Sequence, residues 1–196
     1  AAEKDIYQFK LSRKRALAQG IVSVSTTAGI TVGAVPVPLA DAFILSSIEV
    51  AEINALARVY GINKNEESKH FFNSIVEAGT ISAAARGAIS ALKGIPGVNL
   101  AAGLVNAVIA GSFVAAIGEG TIYAFEQVYL GKKTVKDIDW VTKAVESRLS
   151  TEFIDKVASA VRQITENTDK NAIGKVILDL FGEKEKQPGC NGKGRR

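Results

Sequence analysis

The chain has 196 residues, of which 47% are hydrophobic and 22% are charged, so it can bury a core and is not a disordered tail. A single cysteine, Cys190, and a single histidine, His70, exclude an internal disulfide framework, a cysteine-rich zinc site and any site that needs two histidines. The net charge of +4 is distributed in blocks, because residues 1–15 carry five basic and two acidic residues whereas residues 16–57 carry acids only.

The first half of the chain is predicted to form helices separated by proline and glycine signals. Residues 2–19 have the period of an amphipathic helix, which continues less clearly through residues 20–35. The turn that contains Pro36 and Pro38 must be extended, because proline cannot continue a helix interior and restricts the residue before it. A helix over residues 39–60 then ends at Gly61, and another over residues 66–92 ends near Gly94.

The second half is predicted to be helical as well. Residues 99–130 form an Ala- and Gly-rich stretch that the glycines at 118 and 120 could interrupt and that Gly131 ends. Thr134 with Asp137 resembles a capping box for a helix through residue 149. Ser150 or Thr151 can cap a helix that runs toward residue 164, and residues 169–181 make a last short helix.

The predicted fold is therefore all-α. We expect a multi-helix bundle in which two Ala/Gly-rich apolar helical hairpins are joined by C-terminal amphipathic helices, as a single domain over residues 1–181. Residues 182–196 are rich in Gly, Lys and Arg and offer almost nothing to bury, so we expect a disordered basic tail that includes Cys190.

The sequence offers no catalytic constellation. Its glycine clusters lack the Lys-Ser/Thr ending of a phosphate-binding P-loop. Glu67 and His70 have the Glu-x-x-His spacing of a di-iron bundle, but that site needs the motif twice. A nucleophilic triad would need an orienting acid and an oxyanion site that no local motif indicates. We therefore predict a chain without catalytic, cofactor-binding or metal-binding residues.

Acidic residues on the apolar helices have two interpretations. Asp41, Glu49 and Glu52 fall within an arc of about 80° on one predicted helix, which could form a cation site. The sequence favours the alternative, in which this acidic stripe is solvated or pairs with the basic residues at positions 13–15. Glu119 and Glu126, seven residues apart on a later helix, receive the same interpretation.

Two uncharged runs, residues 16–40 and 94–118, are each long enough to cross a bilayer as a helix. Their glycines, prolines and polar residues favour buried core helices over membrane-contacting segments. Small residues recur every four positions in the second run and permit close contact between helices, including helices of two copies in an oligomer. These residues are Gly103, Ala107, Gly111 and Ala115.

Basic residues near the start of the chain are candidates for contact with anionic lipid or a partner protein. They are Lys10, Arg13, Lys14 and Arg15. Nucleic-acid binding is not expected, because the basic residues are scattered over helix faces and the tail without aromatic residues for base stacking beside them.

Four short stretches carry a resemblance to a known family: residues 35–41 (VPVPLAD), 57–61 (ARVYG), 94–97 (GIPG) and 115–119 (AAIGE). Over residues 16–150 the chain resembles the uncharacterised helical domain attached to bacterial Era-like GTPases, which also occurs in hydrophobic membrane-associated proteins. It is more distantly similar to the helical part of immunity-related GTPases. The helices after Ser150 have no counterpart in this resemblance.

The resemblance implies a non-catalytic module that works with a G domain in the same protein or in a partner, in membrane association or protein interaction. It implies structural roles for the motif positions Pro36, Pro38, Asp41, Tyr60, Gly61 and Pro96. A cytoplasmic location, peripheral to a membrane, would follow. The alternative is a self-contained helical protein of the pore-forming or stress type that inserts into membranes.

Overall fold

The computed structural model describes the backbone of residues 2–34, 40–80 and 102–182 and the side chains of residues 9–34, 47–79 and 103–182. This part of the chain contains helices and no strand, which confirms the predicted all-α bundle. In chain order the helices are α1 (Ala2–Gly33), α2 (Ala40–Tyr60), α3 (Lys69–Thr80), α4 (Ala102–Tyr129), α5 (Ile138–Glu146), a 3₁₀ turn (Ser147–Leu149), α6 (Thr151–Gln163) and α7 (Lys170–Phe181).

Helices α1 and α4 form the most extensive contact among the described residues, and glycine makes it possible. A Cβ atom built at Gly33 would lie 2.6 Å from the carbonyl oxygen of Asn106, and one at Gly29 would lie 2.9 Å from a methyl group of Val114. A Cβ at Gly111 would meet the side chain of Ile30 at 2.5 Å. The two backbones therefore touch, and the small-residue face predicted on α4 packs against α1 of the same chain.

The directions of the first helices follow from these contacts. Gly33 of α1 lies beside Asn106 of α4, whereas Arg15 lies beside Glu126, so α1 and α4 are antiparallel. Gly118 contacts Glu52 of α2, and Glu126 contacts Tyr60, so α2 runs parallel to α4. Consequently α1 and α2 form an antiparallel pair.

Helix α4 is the core helix of the bundle. It contacts α1, α2, α3, α5, α6 and α7, and 89% of its apolar stretch is buried. The predicted interruption at residues 118–120 is wrong, because both glycines are packing positions. Gly118 lies against Val22 and Glu52, and Gly120 lies against Arg148. The described part of the second uncharged run is therefore a buried core helix, as the sequence favoured.

Two aromatic clusters join the remaining helices to α4. The ring of Phe125 lies 6.1 Å from Phe71, 5.9 Å from Phe72 and 6.2 Å from Tyr60, which ties α2 and α3 to the core helix. Phe153 of α6 lies 4.8 Å from Phe113 of α4 and 5.6 Å from Phe181 of α7. Helices α5, α6 and α7 bury one face each, so the predicted C-terminal amphipathic helices are confirmed.

Several helix ends agree with the sequence signals. Gly61 and Gly131 adopt φ values of 73° and 66°, a left-handed conformation that glycine tolerates best, and each follows the end of a helix. The side chain of Asp169 accepts a 2.9 Å hydrogen bond from the backbone N–H of Ala172 and so caps α7, at the residue where the last helix was predicted to start.

Two predicted helix starts are corrected. Helix α3 begins at Lys69 rather than at residue 66, because the side chains of Asn65 and Ser68 each accept a hydrogen bond from the other residue's backbone N–H and hold a turn. Thr134 and Asp137 do not form a capping box at a helix start. The Asp137 carboxylate does accept a 2.7 Å bond from the Thr134 backbone N–H, which is one half of such a box, but this bond closes a turn and α5 begins only at Ile138.

Pro36, Pro38 and Pro96 lie outside the described residues, as do residues 81–101 and the predicted tail from residue 183 onward.

The glycine contact between α1 and α4 generates a stability prediction. Gly33→Ala should lower the free energy of unfolding by about 1–3 kcal/mol, because its methyl group would press against the α4 backbone. Gly20→Ala is the matched control, since no atom lies within 4 Å of a Cβ built there. In mid-helix this control should leave stability unchanged or raise it by up to about 1 kcal/mol. Denaturant unfolding measures both variants, and equal effects would contradict this account of the contact.

Candidate functional site between the first two helices

Arg15 is a partly exposed residue, with 35% of its side chain accessible, that pairs with a buried acid of the bundle. Its Nε donates a 2.8 Å hydrogen bond to Glu126 Oε1, and a second guanidinium nitrogen bonds to the other carboxylate oxygen. The hydroxyl of Tyr60 donates to the same carboxylate at 3.0 Å. Burial and the neighbouring Glu126 carboxylate raise the pKa of Tyr60 far above its usual value, so it stays a hydrogen-bond donor. One ionic contact thus joins α1, α2 and α4.

Lys14 is also engaged within the fold. Its ammonium group donates to the backbone carbonyl of Val59 in the last turn of α2 and lies 5.0 Å from the centre of the Tyr129 ring. Of the four predicted contact cations, Lys10 and Arg13 are the two whose side chains are exposed. Arg13 stacks over the ring of Phe9, with 5.3 Å between its guanidinium carbon and the ring centre.

The expectation that the acids on α2 are solvated or paired with residues 13–15 is wrong. Glu49 is 3% exposed and Glu52 is 1% exposed, whereas Arg15 pairs with Glu126. Neither oxygen of Glu52 has a hydrogen-bond partner among the described residues. The side chain of Asp41, the third member of the predicted stripe, lies outside the described side chains.

Burial determines the protonation of these acids. Desolvation raises the pKa of Glu49 to about 8. Desolvation also raises the pKa of Glu52 well above its usual value, and ionisation of Glu49 or Glu119 raises it further. Both α2 carboxyls therefore hold a proton at neutral pH. Isolated acids within long uncharged apolar stretches are the signal that could have indicated this burial.

The alternative of a cation site receives no support from the described side chains. Within them no three His, Cys, Asp or Glu side chains lie close enough to hold a metal ion. Glu52 lines a groove between α1 and α2, whereas Glu119 lines a separate cavity of about 50 Å³ together with Arg148. The carboxyls of Glu52 and Glu119 are thus close enough to affect each other's pKa, but they line different cavities.

The groove between α1 and α2 has a volume of about 470 Å³ and is open to solvent. Its walls are mostly apolar, with Leu17, Ile21 and Val24 on α1 and Ala51 and Ala55 on α2. Leu17 is 64% exposed and Val24 is 72% exposed, although both are apolar. The groove therefore brings an exposed apolar surface next to the exposed cations of α1.

Sequence reasoning missed Arg58 as part of this region. Arg58 is exposed in the last turn of α2 and follows Ala51 and Ala55 at intervals of seven and three residues, so it continues the same helix face. Because α1 and α2 are antiparallel, Arg58 lies at the end of the groove where α1 carries Lys10 and Arg13. The helical spacing from Ala51 to Arg58 was visible in the sequence, but the facing helix was not.

The other predicted motif residues have structural surroundings. Tyr60 lies in the aromatic cluster around Phe125 and bonds to Glu126, and Gly61 follows the end of α2 with its positive φ. The histidine considered for a metal site, His70, is exposed on α3.

The different surroundings of Arg13 and Arg15 generate a prediction with a built-in control. Arg15→Met should lower the free energy of unfolding by about 2 kcal/mol or more, because it leaves the buried Glu126 carboxylate without its cation. Arg13→Met, two residues away on the surface, should change stability by less than about 0.5 kcal/mol. Denaturant unfolding of both variants measures the difference, and a smaller effect for Arg15→Met would contradict the internal role.

The buried α2 carboxyls predict how stability depends on pH. Glu49 titrates near its ordinary pKa of 4.5 in the unfolded chain but near 8 in the folded chain. Its stabilising contribution is therefore complete below pH 4.5 and is lost as the pH rises toward 8. One such carboxyl changes the free energy of unfolding by up to about 1.4 kcal/mol per pH unit in that window.

Glu49→Gln should flatten this slope, whereas Glu77→Gln, an exposed acid on α3, should leave it unchanged. Urea unfolding at pH 5, 6, 7 and 8 measures the slopes. A wild-type slope that Glu49→Gln does not alter would show that Glu49 is ionised in the folded chain.

Comparison with known proteins places the chain in a family. A model of the family described as a domain of unknown function (DUF697) matches residues 2–151, a range that runs from α1 to the first residue of α6. The search of curated proteins found no match, and the search of solved structures found none either. The family description names no GTPase, so that part of the resemblance stays a prediction. Because the match spans well over half of the chain, the chain belongs to the DUF697 family.

Proposed function

We propose that this chain is a non-catalytic helical module that holds a GTPase, in the same protein or as a partner, at an anionic membrane surface. The observation that carries the membrane part is the exposed face of α1. Phe9, Leu17 and Val24 are 61%, 64% and 72% exposed. The exposed cations Lys10 and Arg13 lie on the same side of the helix as these apolar residues.

The geometry of this face suits the boundary between water and lipid. Phe9, Arg13, Leu17, Gly20 and Val24 follow one another at intervals of three or four residues, so they form one stripe about 22 Å long. An apolar stripe with cations gains free energy when its side chains enter the headgroup region. Each Lys or Arg close to an anionic leaflet adds about 1 kcal/mol.

Burial favours a peripheral module over the membrane-inserting alternative. Both α1 and α4 are long and apolar enough to cross a bilayer, but 89% of the α4 stretch is buried against 33% of the α1 stretch. Insertion of α4 would strip away the helices that cover it and break the contact between Arg15 and Glu126. Surface association uses what the folded chain already exposes.

The GTPase part of the proposal rests on the resemblance of residues 35–41 and 57–61 to the domain attached to Era-like GTPases. The chain has no P-loop motif of its own, so nucleotide chemistry would come from the G domain. In this arrangement the described helices hold the G domain in place, and the G domain carries out the reaction.

Flotation with vesicles tests the proposal. The purified chain should float with phosphatidylcholine vesicles that contain phosphatidylglycerol, less so at high salt, and not with phosphatidylcholine alone. Lys10→Glu/Arg13→Glu should reduce the floated fraction by about tenfold, since it reverses two cations of the stripe. Lys170→Glu/Lys175→Glu on α7 makes the same change in net charge at exposed positions away from the stripe and should float like the wild type.

The remaining outcomes separate the alternatives. Binding that resists alkaline carbonate would mean insertion and would support the pore-forming alternative. Failure to float with any vesicle would overturn the membrane part of the proposal. A purified Era-like GTPase from the same genome should float only when this chain is present, and its absence from the floated fraction would overturn the GTPase part.

A further inference from the structure

The α1–α2 groove is shallow and open to solvent, because small residues leave space between its two walls. A Cβ atom built at Gly20 would have no neighbour within 4 Å, and the facing positions on α2 are Ala51 and Ala55. Leu17, Ile21 and Val24 form the opposite wall. The span from Leu17 to Val24 is about 11 Å along the helix axis, so the groove can take a slender apolar chain.

Exposed cations collect at one end of this groove. Lys10, Leu17 and Val24 are spaced by seven residues, which places Lys10 on the groove side of α1 two turns before Leu17. Arg13 lies four residues before Leu17, and Arg58 continues the α2 face that lines the groove. No ion pair to these three cations is seen among the described side chains. An apolar groove that ends at three exposed cations complements an anionic amphiphile.

The acid in the groove wall does not oppose such a ligand. The carboxyl of Glu52 points toward α4, where a Cβ atom at Gly118 would lie 2.6 Å from its Oε1. Burial and the nearby acids raise the pKa of Glu52, so the side chain is uncharged at neutral pH. The wall beneath the apolar chain is therefore electrically neutral, and the positive charge at the groove end is not cancelled.

We propose that the α1–α2 groove binds one acyl chain of an anionic membrane phospholipid, with the headgroup phosphate held by Lys10, Arg13 and Arg58. This site adds a specific ligand to the proposed function, and it rests on that function because the lipid would come from the membrane to which the chain binds. It adds that the chain captures an individual lipid, whereas adhesion to the surface requires only the α1 stripe.

Experiments with monomeric lipid distinguish binding in the groove from adhesion to a membrane surface. Titration calorimetry of the full chain with dihexanoyl phosphatidic acid, kept below its micelle concentration, should give saturable one-to-one binding. Dihexanoyl phosphatidylcholine, which carries no net charge, should bind at least about tenfold more weakly. Methyl NMR signals of Leu17, Ile21 and Val24 should shift during the titration with phosphatidic acid.

Two matched pairs of variants assign the parts of the site. Gly20→Leu fills the groove without meeting another atom at its Cβ and should weaken binding of the monomeric lipid by about tenfold or more, whereas Ala16→Leu, at an exposed position of α1 outside the groove lining, should bind like the wild type. Arg13→Gln/Arg58→Gln should weaken binding similarly, whereas Arg162→Gln/Lys175→Gln, which removes two exposed cations on α6 and α7, should not. Circular dichroism verifies that each variant is folded.

These experiments distinguish a failure of the groove inference from a failure of the proposed membrane function. Vesicle flotation without saturable binding of monomeric lipid would overturn the groove and leave the proposed function standing. Unchanged binding by Gly20→Leu would place the lipid elsewhere and also overturn the inference. Self-association in the absence of lipid that Gly20→Leu abolishes would assign the groove to a second copy of the chain instead.

Discussion

The close approach of α1 to α4 is the constraint on which the rest of the structure depends. At Gly29, Gly33 and Gly111 the two helices leave no room for an additional Cβ atom, so their separation and register are fixed by contact between main chains. The register brings Arg15 to the level of Glu126. It also determines which face of α1 turns inward, and hence that Leu17 and Val24 remain in solvent.

Buried acidic side chains are accommodated inside the bundle in two different ways. Glu126 pairs with Arg15 and accepts a further hydrogen bond from Tyr60, so a buried acid is compensated by a cation and a donor from two other helices. No such cation pairs with Glu49 or Glu52 among the described side chains, and burial raises the pKa values of both acids, which favours their neutral forms. The first arrangement fixes the angle of three helices, whereas the second allows an acid to lie beside an apolar groove without making it polar.

These two arrangements together shape the surface to which we assign the function. Pairing of Arg15 and Lys14 with groups inside the fold reduces the basic N-terminal cluster to Lys10 and Arg13 at the surface. The antiparallel packing of α2 then adds Arg58 at the same end and Ala51 and Ala55 along the groove. The functional surface is thus made by two helices that are adjacent in sequence but whose facing residues are more than 25 positions apart.

The sequence by itself determined the helices and many of their ends. The apolar period marked every described helix, Gly61 and Gly131 marked two ends, and Asp169 marked a start, because a helix and its caps are formed by residues within a few positions of one another. Only the tertiary structure decided which side chains are buried, exposed or paired. The burial of Glu49, the partner of Arg15, the unbroken helix at Gly118 and the exposure of Val24 depend on which helix lies opposite. Local periodicity shows that a helix has faces, but the register between α1, α2 and α4 is set by contacts between residues distant in the chain.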